Sequence, residues 1–130
     1  MLSAARVTLA GIRFEGMGAG DPELKIDLRI FNENAQTVEL RELKATVNLG
    51  GFEVANNRKH DEMLSISPSG DLSVRFVVPL DLDANPMLKK KIESGFETIP
   101  FFADGKCTIA TAEGAVSADF HVEGGIVLSR

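Results

Sequence analysis

Residues Leu24 to Asn34, LKIDLRIFNEN, decide how the rest of the chain is read. Leu24, Ile26, Leu28 and Ile30 share one parity while Lys25, Asp27 and Arg29 share the other, the pattern of a strand with one face on a core and one in water. Asn32, Glu33 and Asn34 then end the strand, because asparagine side chains bond nearby backbone groups and tolerate left-handed geometry. A half-buried antiparallel sheet is the first expectation.

Outward from this stretch, strand-like segments recur about every dozen residues between Gly, Pro, Asn and Asp, which is the spacing of a β-sandwich. Arg6 to Glu15 carries Val7 and Leu9 on one parity and Ile12 and Phe14 on the other, so a bulge near Ala10 and Gly11 is needed to turn all four inward. The Gly16 to Pro22 loop joins it to the Leu24 strand. Further on, Val38 and Leu40 give way to Leu43, Ala45, Val47 and Leu49, and this second parity switch predicts a bulge around Arg41 and Glu42. Gly50 and Gly51 predict a tight turn into a strand over Phe52 to Ala55. Met63 to Ser67 reads as a short strand before a Pro68, Ser69, Gly70 turn, and Leu72 to Leu80 as a firm strand with Pro79 at its end or on an unpaired edge.

One helix is expected, over Pro86 to Ser94. Asn85 is its N-cap, Pro86 sits where a missing N–H costs nothing, Leu88 and Ile92 make its apolar stripe, and Gly95 closes it. It is too short to stand alone and must dock on the sheets. Glu97 to Ala103, Lys106 to Ala112 and Val116 to Val122 read as the remaining strands, with Asp104 and Gly105 as a hairpin turn and Glu113 and Gly114 as a second. Ile126 and Leu128 continue an apolar edge.

At 130 residues the chain fits one domain, 1–130, able to bury roughly two thirds of its unfolded surface without staples. Hydrophobic and charged fractions of 44% and 25% exclude a disordered or collagen-like chain. A net charge of −5 argues against a nucleic-acid partner, and the basic run Lys89, Lys90, Lys91 splays round a helix rather than forming a patch. Eight Phe with no Trp or Tyr make a core that needs no polar partners and leave few anchors for tight recognition. No stretch approaches the ~20 apolar residues of a membrane span, so no transmembrane segment is expected in this chain. Strand character already begins at Val7, which is compatible with a native leader removed ahead of Met1.

Each candidate for chemistry reads better as architecture. Asp81, Asp83 and Asn85 copy the first ligand positions of a calcium loop, but Pro86 stands where glycine is required and Ile92 where a bidentate Glu belongs. The glycines Gly16, Gly18 and Gly20 precede another strand, not the helix that a phosphate cradle needs. His60, Asp61 and Glu62 are adjacent and so point to different faces, while His121 alternates with Phe120 and Val122 and faces solvent. Cys107, the one cysteine, lies in an apolar run and reads as a buried small hydrophobe. Ser65, Ser67, Ser69 and Ser73 show no nucleophile elbow. No catalytic, cofactor-binding or metal residue is assigned.

Taken in order, these segments resemble the WHy domain, the water-stress and hypersensitive-response module of the group 2 (LEA14-like) late embryogenesis abundant proteins. The residues that carry the likeness are VTLAGIRF, the Asn32 to Asn34 triplet, GFEVAN, ISPSG, LSVRFVVPL, the short helix, IPFFADGKCTIAT and the late glycines Gly124 and Gly125. Glu33 stands where the family usually has a proline. The resemblance implies a fibronectin-III-like or immunoglobulin-like β-sandwich with one helix, and a non-enzymatic protein that protects other proteins during desiccation, cold or salt stress. Its implied partners are other proteins in weak, client-like contacts; the alternative is an interaction module for one specific protein or lipid. Bacterial relatives are often lipid-anchored in the cell envelope or periplasm, the alternative being the cytoplasm. Asn32 and Asn34 carry over as motif positions with a structural, turn-making role.

Overall fold

In the computed structural model, which describes residues 2–15, 22–60, 63–94 and 98–127, the alternating stretch becomes the middle of a three-stranded antiparallel sheet. Strand β2 (Glu23–Phe31) lies between β1 (Arg6–Glu15) and β6 (Asp71–Pro79), with Ile26 opposite Ile12 on one side and Phe76 on the other. A second sheet takes the order β4-β3-β7-β8 from β3 (Val38–Leu49), β4 (Phe52–His60), β7 (Thr98–Thr111) and β8 (Gly114–Val127). The short β5 (Leu64–Ile66) pairs with the first residues of β3, and every pairing is antiparallel. The two sheets pack face to face as a fibronectin-III-like β-sandwich. Leu24, Ile26, Leu28 and Ile30 from one sheet share a single cluster with Leu43, Val47, Phe101 and Ile109 from the other. Each such side chain contributes about 1.5–3 kcal/mol on burial.

Both expected bulges are present. Leu9 pairs with Leu28 and Gly11 with Asp27, leaving Ala10 as the extra residue that keeps Val7, Leu9, Ile12 and Phe14 against the core. Likewise Arg41 is extra between the pairs Leu40–Ile109 and Glu42–Thr108. The β3–β4 turn uses Gly50 and Gly51 at φ of +62° and +92°, the pair of positive values that a tight hairpin demands of its central residues. β4 continues past Ala55 to His60 along the sheet border, with two register shifts against β3, one between Ala55 and Arg58 and one at Val54.

Helix α1 (Pro86–Ser94) closes one end of the sandwich, with Leu88 and Ile92 fully buried. It docks beneath the glycine turn, where Lys91 Nζ donates to Gly50 O at 3.2 Å. Asn85 is the N-cap in its backbone, its carbonyl accepting from Lys89 N–H. Its side chain does not cap: Nδ2 donates back to Asp81 O at 3.0 Å and closes the preceding turn. Gly95, Glu97, Leu128 and the glycines Gly16, Gly18 and Gly20 lie outside the described residues.

One expectation is overturned. Asp104 and Gly105 are not a hairpin turn but the middle of a single 14-residue strand, β7, so Glu97 to Ala103 and Lys106 to Ala112 are not separate strands. Gly105 lacks the positive φ that an Asp-Gly turn needs, and it pairs with Ala45 on one side and Phe120 on the other. Glycine is required there for space: a Cβ would lie 1.9 Å from Lys44 O and 2.6 Å from the Phe120 ring. The true β7–β8 turn falls at Ala112 and Glu113, one residue earlier than expected, with Thr111 opposite Gly114.

Candidate functional site

Two polar constellations stand out, one buried and one on the surface. Asn32 and Asn34, 2% and 7% exposed, are the buried polar residues among those described. Asn32 Nδ2 donates to the carbonyls of Gln36, Ile66 and Ser67 at 2.8, 3.1 and 3.1 Å. Its Oδ1 accepts from Asn34 N at 2.9 Å and Nδ2 at 3.0 Å. Asn34 in turn clasps Ser3, Nδ2 donating to Ser3 O at 2.9 Å and Oδ1 accepting from Ser3 N at 2.7 Å. The pair therefore joins the N-terminal segment, the end of β2, the approach to β3 and the β5–β6 turn. Its donors and acceptors are spent on backbone and on each other, so it presents nothing to a ligand.

The surface constellation lies on the outer face of the β4-β3-β7-β8 sheet. Asp104 on β7 is in register with His121 on β8, and Glu123 lies two residues along β8 on the same face. His121 Nδ1 bonds Asp104 Oδ1 and Nε2 bonds Glu123 Oε1, the latter at 2.8 Å. The Phe102 ring lies 5.8 Å from the imidazole, centroid to centroid. A carboxylate can only accept, so both ring nitrogens donate together only in the imidazolium form. The hydrogen bonds to Glu123 and to Asp104 accordingly raise the His121 pKa above its ordinary value.

Beside this trio is an open groove of about 660 Å³, walled by Lys44, Thr46, Asp104, Lys106, Asp119 and His121 and floored by Gly105 and Phe120. The sequence places His121 on the solvent face, and that is where it lies, 48% exposed in its side chain. It does not disclose Asp104 as a partner, because residues read as a turn carry no cross-strand register. The usable signal is the parity of His121 and Glu123, which puts both on one face.

Other candidates fall to local structure. Asp81 Oδ1 accepts from Ala84 N at 3.2 Å, a turn bond rather than a ligand position. His60 is opposite Leu43 in register, and its side chain, with Asp61 and Glu62, lies outside the described set. Cys107 is buried, and burial pushes its thiol up to about 11. Among the described residues no three His, Cys, Asp or Glu side chains converge as a metal site requires. No described helix is long and apolar enough to cross a membrane.

No family model matches the chain, and neither does any curated protein. Solved structures do. A protein from Arabidopsis thaliana, determined in solution, is similar with a TM-score of 0.72 at 12% identity, over 100% of this chain and 85% of that one. A solution structure named "putative late embryogenesis abundant (LEA) protein" is similar with a TM-score of 0.62 at 14% identity, over 97% of this chain and 72% of its own. A crystal structure of a protein from Archaeoglobus fulgidus is similar with a TM-score of 0.58 at 14% identity, over 100% of this chain and 99% of that chain. At such identities the likeness establishes a shared fold, one that this chain has in common with a protein carrying the late embryogenesis abundant name.

Proposed function

We propose that this chain is a WHy-type member of the late embryogenesis abundant group, a non-enzymatic protein that protects other proteins during desiccation, cold or salt stress through weak surface contacts. The observation that carries the reading is the similarity over 97% of this chain to the structure bearing the late embryogenesis abundant name. The order of sequence segments supports it, as does the Asn32 to Asn34 triplet at the strand end where that family keeps its motif. Both faces exposed by the sandwich are polar and of mixed charge, which suits transient contact better than tight recognition. The resemblance carries the proposal of a lipid-anchored form in the cell envelope if a leader precedes Met1, with the cytoplasm as the alternative; a lipobox upstream of Met1 in the gene decides between them.

The test is to dry or heat a labile enzyme with and without the chain and assay its residual activity. Protection well beyond that of an equal mass of albumin is expected, and parity with albumin overturns the reading. Saturable, stoichiometric capture of one protein or lipid would replace it with the interaction-module alternative.

A further inference from the structure

The outer face of the β4-β3-β7-β8 sheet contains a run of like charges that the sheet itself disfavours. Lys59, Lys44 and Lys106 form one lateral row across β4, β3 and β7, Lys44 being in register with Lys59 on one side and Lys106 on the other. Like charges directly opposite one another destabilise a sheet. The other sheet has the same problem at Arg13 and Lys25 and resolves it, because Glu15 approaches Arg13 at 3.5 Å and Lys25 at 2.7 Å. In the lysine row the compensation is Glu42, 3.6 Å from Lys44. Lys106 is in register with Asp119 yet forms no ion pair with it among the described residues. A local rule broken without a structural gain is a mark of function.

The row borders the groove. Lys44 and Lys106 wall it, and of the two aspartates on its walls Asp104 has its carboxylate engaged by His121 while Asp119 is open to a proton brought by the ligand. We propose that the groove binds a tetrahedral oxyanion of the phosphate class, free phosphate or a phosphomonoester, between the ammonium groups of Lys44 and Lys106 with Lys59 on the flank. Lysine ammoniums serve as mobile point charges for phosphate oxygens. Asp119, on the opposite wall, accepts from a P–OH or an adjoining ligand hydroxyl. This inference is independent of the stress-protection reading.

His121 sets the electrostatics from the side. The charged groups facing it are Asp104 and Lys106 from β7, Asp119 and Glu123 on its own strand, and Lys44 from β3. Loss of the imidazolium proton returns the Asp104 charge to the groove, so anion affinity falls as pH rises. Sulfate, a dianion throughout, reads this without the titration of phosphate itself.

The experiment is an NMR titration of the amide resonances of the full chain with inorganic phosphate, with sulfate, and with chloride at matched ionic strength. Saturable shifts at Gly105, Thr46 and Lys106 are expected with the first two only, at weaker affinity for sulfate, which brings no proton for Asp119. In Lys44→Ala and in Lys106→Ala the affinity should fall roughly tenfold or more, the scale of one lost charge-assisted hydrogen bond. Both variants should unfold at or above the wild-type midpoint, since each removes repulsion. Lys106→Gln keeps the stem and repeats the test should the alanine variant lose stability. Co-sedimentation with phosphatidic acid vesicles but not with phosphatidylcholine vesicles would identify a lipid headgroup as the source; phosphate binding without co-sedimentation would identify a soluble ligand. Shifts that match chloride, fail to saturate, or persist in the Lys44→Ala, Lys106→Ala double variant overturn the proposal.

Discussion

Asn32 shows how much one side chain can hold. Replacing it with alanine strips its bond from the buried Ile66 carbonyl and from the Asn34 amide, and leaves Ser67 O with Gly70 N–H as its donor. Asn32→Ala should cost about 2–4 kcal/mol in urea unfolding, since each orphaned buried group costs about 1–3 kcal/mol. Asn34→Ala, whose loss falls on the N-terminal segment, should cost about half of that. The sequence marks these residues as strand terminators, but not as a buried clasp, because the N-terminal segment and the β5–β6 turn reach them only in the folded chain. His121 gives a prediction in pH. Its unfolded imidazole titrates near 6.5, and Glu123 and then Asp104 hold the folded one higher. The folded state therefore binds the proton more tightly, so the stabilisation is complete below the unfolded value and is lost as pH climbs through the folded one. The site is open to solvent and the effect is small, yet its direction is clear. Measured by thermal unfolding, the deficit of His121→Gln against wild type should be present at about pH 6 and gone at about pH 9.

At the scale of elements, β7 shows where local reading ends. Asp-Gly is a strong hairpin signal because a tight turn needs positive φ, yet the glycine of this pair serves closeness, its hydrogen seated under the Phe120 ring and beside Lys44 O. Gly105→Ala should destabilise by about 3 kcal/mol or more, as overpacking against an immovable backbone does. Far-UV circular dichroism during urea unfolding would register it as a lowered midpoint. Were the residue in a positive-φ turn, alanine would cost about 1–2 kcal/mol, so a larger loss marks the strand placement. The bulges at Ala10 and Arg41 are legible beforehand because an odd residue in an alternating pattern shifts parity, and parity is written in the chain. β4 is not, since Asn56, Asn57 and Arg58 carry no apolar alternation and are held in the sheet by their neighbour β3. The helix is legible through its ends and its Leu88–Ile92 stripe. Leu88→Ala should cost about 2–5 kcal/mol, the range for truncating a fully buried leucine.

At the scale of the molecule, Cys107 is a reporter placed by the fold itself. It faces the shared core from β7, with its thiol pushed up to about 11, so a thiol reagent should label it only when the sandwich opens. Labelling rates across a denaturant series should follow global unfolding; fast labelling in buffer would mean that β7 and β8 open alone. The order of strands within each sheet, β1-β2-β6 and β4-β3-β7-β8, is written nowhere in the local pattern, because it rests on pairings far apart along the chain. Alternation supplies the sandwich, while the order of its strands appears only in the long-range pairings of the folded chain. The placement of the bulges has a further consequence. Ala10 lies on β1 and the two extra residues of the β3–β4 pairing lie on β4, strands that border their respective sheets, while β6, another border strand, ends in Pro79. Irregular borders are poor templates for a second chain. A crowded, drying solution concentrates unfolded polypeptide against every exposed backbone, and the uneven rims at β1, β4 and β6 can touch such chains without being extended by them, which leaves the regular β8 as the rim open to a further strand.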